Sequence, residues 1–205
     1  PRQAAVLRLR MARYEALCGL RAEALRRVEA ERRREIDFWL TIDAAKVAVS
    51  AGDFALAAQL LDEVERKGMP PTAQPAATFA RAYRAAIHAH EGRIEDALGA
   101  LLPLEPLDLA PNLGFIPLYE RAQAHFLARD WPRARAAYEK ILAHPTIDPG
   151  RKLVPLAQLG LARTLARAGD VAASRKAYEQ FFARWKNADA DLPLLAEASA
   201  EHEAL

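Results

Sequence analysis

Along most of the chain apolar residues recur at intervals of three and four, the spacing that lines one face of an α-helix. No segment sustains the period-two alternation of a half-buried strand, so the pattern predicts no sheet. Between the helical stretches lie four short turn signals: Ala51-Gly52-Asp53-Phe54, Glu91-Gly92-Arg93-Ile94, Arg129-Asp130-Trp131 and Ala168-Gly169-Asp170-Val171. A glycine at such a point supplies the left-handed backbone that ends a helix. In three of the four turns an aspartate follows, placed to cap the next helix by accepting from its free backbone N–H groups.

Small residues recur in register with these turns. Ala57, Ala97, Ala134 and Ser174 follow them at intervals of 40, 37 and 40 residues. Leu61, Leu101, Tyr138 and Tyr178 come four positions later, on the same helix face. Ala45, Ala85, Ala122 and Ala162 occupy the small-residue site of the preceding helix. The period exceeds a minimal helix-pair repeat of about 34 residues, and the excess falls in the Pro-containing loops Gly68–Pro75, Pro103–Pro117 and Pro145–Pro155. Upstream, Met11, Ala12, Gly19 and Ala24 outline a weaker pair, with Ala24 lying 33 residues before Ala57. Downstream, Asp189–Pro193 reads as a stop followed by a restart, with Asp191 as the N-cap of a closing helix over Leu192–Leu205.

The expectation is an all-α protein of about eleven helices, an α-solenoid of antiparallel helix pairs closed by a capping helix. A cap is needed because each repeat buries its apolar face only against neighbours. The chain divides as a single domain over 1–205: a weak first pair at 1–37, repeats at 38–74, 75–114, 115–154 and 155–190, and the capping helix at 191–205.

Composition agrees with this picture. Apolar residues make up 52% and charged residues 27%, which argues for a folded chain over a disordered one. Ala and Leu dominate the apolar share, and both lead the helix-propensity ranking. The single Cys18 excludes an internal disulfide and a cysteine metal cage, and it sits in an Ala/Leu-rich stretch as a small core residue. No apolar run is long enough to cross a bilayer. The chain begins at Pro1, which suggests a piece of something longer.

Net charge is +2, yet residues 1–36 hold ten Arg against five Glu. Such a start could mark a nucleic-acid patch. However, Glu29, Glu31 and Glu35 interleave with Arg26, Arg27, Arg32, Arg33 and Arg34, the mixture expected of a solvated helix face. That argues against nucleic acid as a partner.

The small-x3-Tyr patterns Ala134–Tyr138 and Ser174–Tyr178, set after their turns, resemble the tetratricopeptide repeat. The stretches Leu118–Ala124, Tyr138–Leu142, Leu159–Arg163 and Phe182–Leu195 further resemble the C-terminal repeat tails of large bacterial signalling proteins. Some of those are eukaryotic-like Ser/Thr protein kinases and others are winged-helix regulators. The resemblance covers residues 75–205 closely and 1–74 loosely. It implies a right-handed solenoid, a sensor or regulatory role beside an output domain, and the bacterial cytoplasm. A periplasmic setting stays open if a membrane segment precedes this chain.

The kinase machinery itself is absent from the sequence: no Gly-rich phosphate loop, no His-Arg-Asp and no Asp-Phe-Gly. His88 and His90 are two apart on a helix and point in roughly opposite directions, unlike the i,i+4 pair that shares a zinc. His88 and His125 fall where first-helix aromatics pack. The carboxylate pairs Asp62/Glu63, Glu95/Asp96 and Asp189/Asp191 read as solvated or capping groups. The sequence therefore predicts no catalytic, cofactor-binding or metal-binding residue.

What remains is the groove that the resemblance implies, a concave surface lined by the first helix of each pair. By register with the turns its lining includes Trp39, Ile42 and Lys46, then Phe79, Tyr83 and His90, then Tyr119, Gln123 and Phe126, and last Arg163 and Arg167. Aromatic and Arg side chains dominate binding hot spots. The expected function is non-enzymatic recognition of a protein or peptide, with self-association that controls an attached kinase or DNA-binding domain as the alternative. The Lys/Asn clamp for chaperone C-termini is argued against, because Asn112 and Asn187 both fall in loops.

Overall fold

The computed structural model describes residues 2–34, 36–68, 73–148, 152–189 and 191–205. Pro1, Glu35, Ala190 and residues 69–72 and 149–151 lie outside them, and with them part of the expected loops Gly68–Pro75 and Pro145–Pro155. Among the described residues the chain is all-α, with eleven α-helices and no strand. They are α1 (Arg2–Leu17), α2 (Arg21–Arg32), α3 (Phe38–Ala51), α4 (Phe54–Lys67), α5 (Gln74–His90), α6 (Ile94–Leu101), α7 (Ile116–Leu127), α8 (Trp131–Ala143), α9 (Leu153–Arg167), α10 (Val171–Arg184) and α11 (Pro193–Glu203). A 3-10 helix at Leu102–Leu107 follows α6. No helix among the described residues is long and apolar enough to cross a membrane.

Each odd-numbered helix packs on its successor, so that α1 meets α2, α3 meets α4, and so on to α9 and α10. The odd-numbered helices also contact one another in series from α1 through α9. Small side chains make this close approach workable. Ala45, Ala85, Ala122, Ala162, Ala57, Ala97, Ala134 and Ser174 are all 0% exposed, so every residue of the recurring register lies at a contact. Where serine replaces alanine its hydroxyl is satisfied, as Ser174 Oγ donates to the Ala162 carbonyl at 2.9 Å.

The turns behave as their residues dictate. Asp53, Asp130 and Asp170 accept from the backbone N–H groups of Leu56, Arg133 and Ala173. Asp37, which the turn pattern did not single out, caps α3 in the same way through Leu40 N at 2.9 Å. Gly52 and Gly169 take the left-handed conformation at φ 76° and 86°. The third turn has no glycine, and there Arg129 adopts φ 59°.

Two expectations are corrected. Asp191 does not cap α11: the helix starts at Pro193 and its N-cap position is Leu192, which makes no side-chain cap bond. Proline at the first helical position is pre-set for the helix and has no N–H to satisfy. Glu31 is not solvated but 2% exposed, because α2 turns it toward Arg8 of α1, whose Nη2 donates to it at 3.0 Å. The expected loop Pro103–Pro117 also contributes to the core. Leu104, Leu113 and Phe115 bury there, and Asp108, 3% exposed, accepts from Arg121 of α7 and Lys140 of α8, each at 2.8 Å.

The two ends of the helix series meet. Leu194 N at the start of α11 donates to the Cys18 carbonyl after α1, at 3.2 Å. A Cβ on Gly19 would lie 2.9 Å from Pro193 Cβ, so the two segments are in close contact. Arg163 of α9 holds α11 from the other side through Glu197 and Glu201, both at 2.9 Å.

Candidate functional site

A cavity of about 490 Å³ lies where α1, α3, α5 and the start of α9 face one another. Arg10 and Arg13 reach it from α1, three positions apart on one helix face. Asp43 and Lys46 come from α3 with the same spacing and pair at 2.8 Å. Phe79 of α5 provides an apolar wall, and Lys46 Nζ sits 4.3 Å from its ring centre, within reach of the ring's negative face. Asp148 and Lys152 close the far side, with Lys152 Nζ 5.3 Å above the ring of Tyr14 of α1.

Positive charge exceeds negative in this space. The buried Asp148 is engaged by the backbone N–H of Leu153 at 2.9 Å. Arg13 Nε is buried and has no hydrogen-bond partner among the described residues. Burial holds the Lys46 amine below its ordinary pKa, with Arg13 and Arg10 adding to the effect and Asp43 opposing it. Lys152 is lowered in the same way, first by burial and then by Arg13, against the pull of Asp148.

A second, smaller cavity of about 200 Å³ lies further along, between α7, α9 and the α1–α11 contact. Its polar centre is a short relay. Gln123 Nε2 donates to the Tyr119 hydroxyl at 2.8 Å, and the Tyr138 hydroxyl donates to Gln123 Oε1 at 3.1 Å. Burial pushes both phenols well above their usual range. With its amide committed at both ends, Gln123 orients the two rings.

The groove residues expected from sequence fall into several environments. Lys46 and Phe79 share the first cavity, while Tyr119, Gln123, Phe126 and Arg163 border the second. Arg163 is already paired with α11. Arg167 lies outside both, in an open depression with Phe126 and Trp131. Tyr83 and Ile42 are enclosed in the core at 1% exposure each. Trp39 is 39% exposed and edge-on to Phe38 at 5.3 Å, and His90 stacks on Phe54 at 4.0 Å.

Five charged cavity residues, Arg10, Arg13, Asp43, Asp148 and Lys152, were not among the expected ones. The i,i+3 spacing of Arg10 and Arg13 was a signal for a shared face, but nothing local tied that face to Lys152. Among the described residues no three His, Cys, Asp or Glu side chains cluster as a metal site would require. His125, 9% exposed, packs beside Asp130 at 3.5 Å, and burial lowers its pKa despite that carboxylate. No family model, no curated protein and no solved structure matches this chain.

Proposed function

We propose that the chain is a non-enzymatic binding module: a right-handed solenoid of antiparallel, tetratricopeptide-like helix pairs whose concave face receives a segment of a partner protein. The observation that carries this reading is the serial contact of α1, α3, α5, α7 and α9, with polar and aromatic side chains of those helices bordering shared cavities. Repetition at fixed register is what stacked helix pairs require, since each buries its small residues against the next. In keeping with its resemblance to bacterial signalling tails, the module serves as the sensor or regulatory part of a larger protein.

A photo-reactive residue tests the groove directly. Peptides are first selected from a random display library against the purified chain. Cross-linking is then compared between labels at Phe79 or Phe126 and labels at Glu95 or Arg135, which are exposed on α6 and α8. The reading expects adducts at the first two positions. Adducts confined to the α6 and α8 positions sink it.

A second reading, self-association that controls an attached kinase or DNA-binding domain, is favoured by one feature. Leu7, Met11 and Tyr14 of α1 are 60%, 55% and 40% exposed, at a spacing that makes one apolar stripe. Sedimentation across a concentration range decides it, with a strict monomer counting against it.

A further inference from the structure

We propose that the cavity between α1, α3, α5 and α9 is an anion site, with Arg10, Arg13, Lys46 and Lys152 as its ligands, that takes a group carrying two or more negative charges. This inference names the chemistry of the occupant of the inner face and so rests on the reading above.

The four cations come from α1, α3 and the residue just before α9, and they converge on one space. Two carboxylates border that space, and both are already used: Asp43 by Lys46 at 2.8 Å and Asp148 by Leu153 N at 2.9 Å. Two positive charges are thus left over, and Arg10, Arg13 and Lys152 make no ion pair among the described residues. Holding like charges together in a partly closed cavity costs free energy, as does the buried Arg13 Nε that donates to nothing. A bound anion relieves both costs at once. Folds keep such unfavourable arrangements where they serve a site. Burial lowers the pKa of both Lys46 and Lys152, and Arg13 and Arg10 add to it, which agrees with this geometry.

Size and surroundings narrow the ligand. At about 490 Å³ the cavity falls within the range of small-ligand sites. Phe79 and the ring of Tyr14 supply apolar surface beside the charges. Paired carboxylates on an acidic peptide segment and a free phosphate-type anion share the chemistry required.

Calorimetric titration of the chain with three probes separates these sources: inorganic pyrophosphate, a capped tetraglutamate peptide and a capped tetraglutamine peptide. Saturable binding of at least one anionic probe, none of tetraglutamine, and weakening with added salt are expected. Arg13→Gln and Lys152→Gln each lower that affinity about tenfold, and neither lowers the melting temperature, since each removes a repelling charge. If neither anion binds the wild type, or if both variants bind as tightly as it does, the proposal is overturned. Binding of pyrophosphate without tetraglutamate keeps the anion site and removes an acidic peptide as its occupant. Library-selected peptides that bind the inner face when neither anionic probe does keep the peptide reading and remove the anion site.

Discussion

Gly160 of α9 lies directly against the ring of Tyr138 of α8: a Cβ on Gly160 would come within 2.5 Å of Tyr138 Cζ and 2.9 Å of its hydroxyl oxygen. Tyr138 is 1% exposed and its hydroxyl is bonded to Gln123, so a shift of the ring breaks that bond and disturbs its packing. A mid-helix glycine costs about 1 kcal/mol relative to alanine. Overpacking a filled core costs about 1–3 kcal/mol. Gly160→Ala is therefore expected to destabilise the chain by up to about 2 kcal/mol despite the better helix former. Urea unfolding measures this, and a variant more stable than wild type would mean that the ring can move.

The third turn offers the opposite case. Arg129 occupies the left-handed conformation at φ 59°, where Gly52 and Gly169 stand in equivalent turns. A side chain with a Cβ is strained there, and glycine is not. Part of the gain is given back because glycine frees the unfolded chain. Arg129→Gly is expected to stabilise by about 0.5–1 kcal/mol. Arg129→Ala keeps the Cβ and serves as the control. Equal stabilisation by the two would locate the effect in the lost guanidinium and not in the backbone.

Glu31 links the first two helices. Arg8 donates to both of its carboxylate oxygens and Arg34 to one, at 3.0 Å for Arg8 Nη2 and for Arg34. The Arg8 hydrogen bond, opposed by burial, holds the Glu31 carboxyl below its ordinary value of 4.5. A depressed carboxyl stabilises the fold at every pH above the ordinary value, and that contribution disappears as pH falls through the lower folded-state value. Glu31→Gln should cost about 1–3 kcal/mol at neutral pH. The cost should shrink once acid has protonated the wild-type carboxyl. A difference that does not change between pH 7 and strong acid would assign the loss to packing alone.

What could be read from the sequence was local. The register of Ala45, Ala85, Ala122 and Ala162, and the capping role of Asp53, Asp130 and Asp170, depend on neighbours within one or two turns of helix. Glu31 looked like its solvated neighbours because only α1, folded back over it, distinguishes it from Glu29. Asp108 sits in a proline-rich connection and finds Arg121 and Lys140 only once α7 and α8 have packed. The first cavity was half legible. Lys46 and Phe79 follow from the repeat register, whereas Lys152 faces Arg10 and Arg13 only because the ends of the helix series come together. Arg163 was read as free for a ligand, and the partners that engage it lie on α11.

Glu120 of α7 gives the chain a pH dependence opposite to that of Glu31. Burial pushes its carboxyl up to about 8, with the positive charge of Arg13 only partly opposing the shift. In the unfolded chain the same group titrates near 4.5. Between those two values the folded state binds the proton and the unfolded state does not, so stability falls as pH rises through this window and levels off above it. Glu120→Gln keeps the shape of the protonated acid and removes the titration. The variant is expected to match wild type near pH 5 and to exceed its stability at pH 9 by more than about 1 kcal/mol. Urea unfolding at intervals across the window follows the gap as it opens. Parallel curves for the two proteins would mean that Glu120 ionises as freely in the fold as in water. A carboxylate beside Arg13 would then already supply part of the negative charge that the first cavity otherwise lacks.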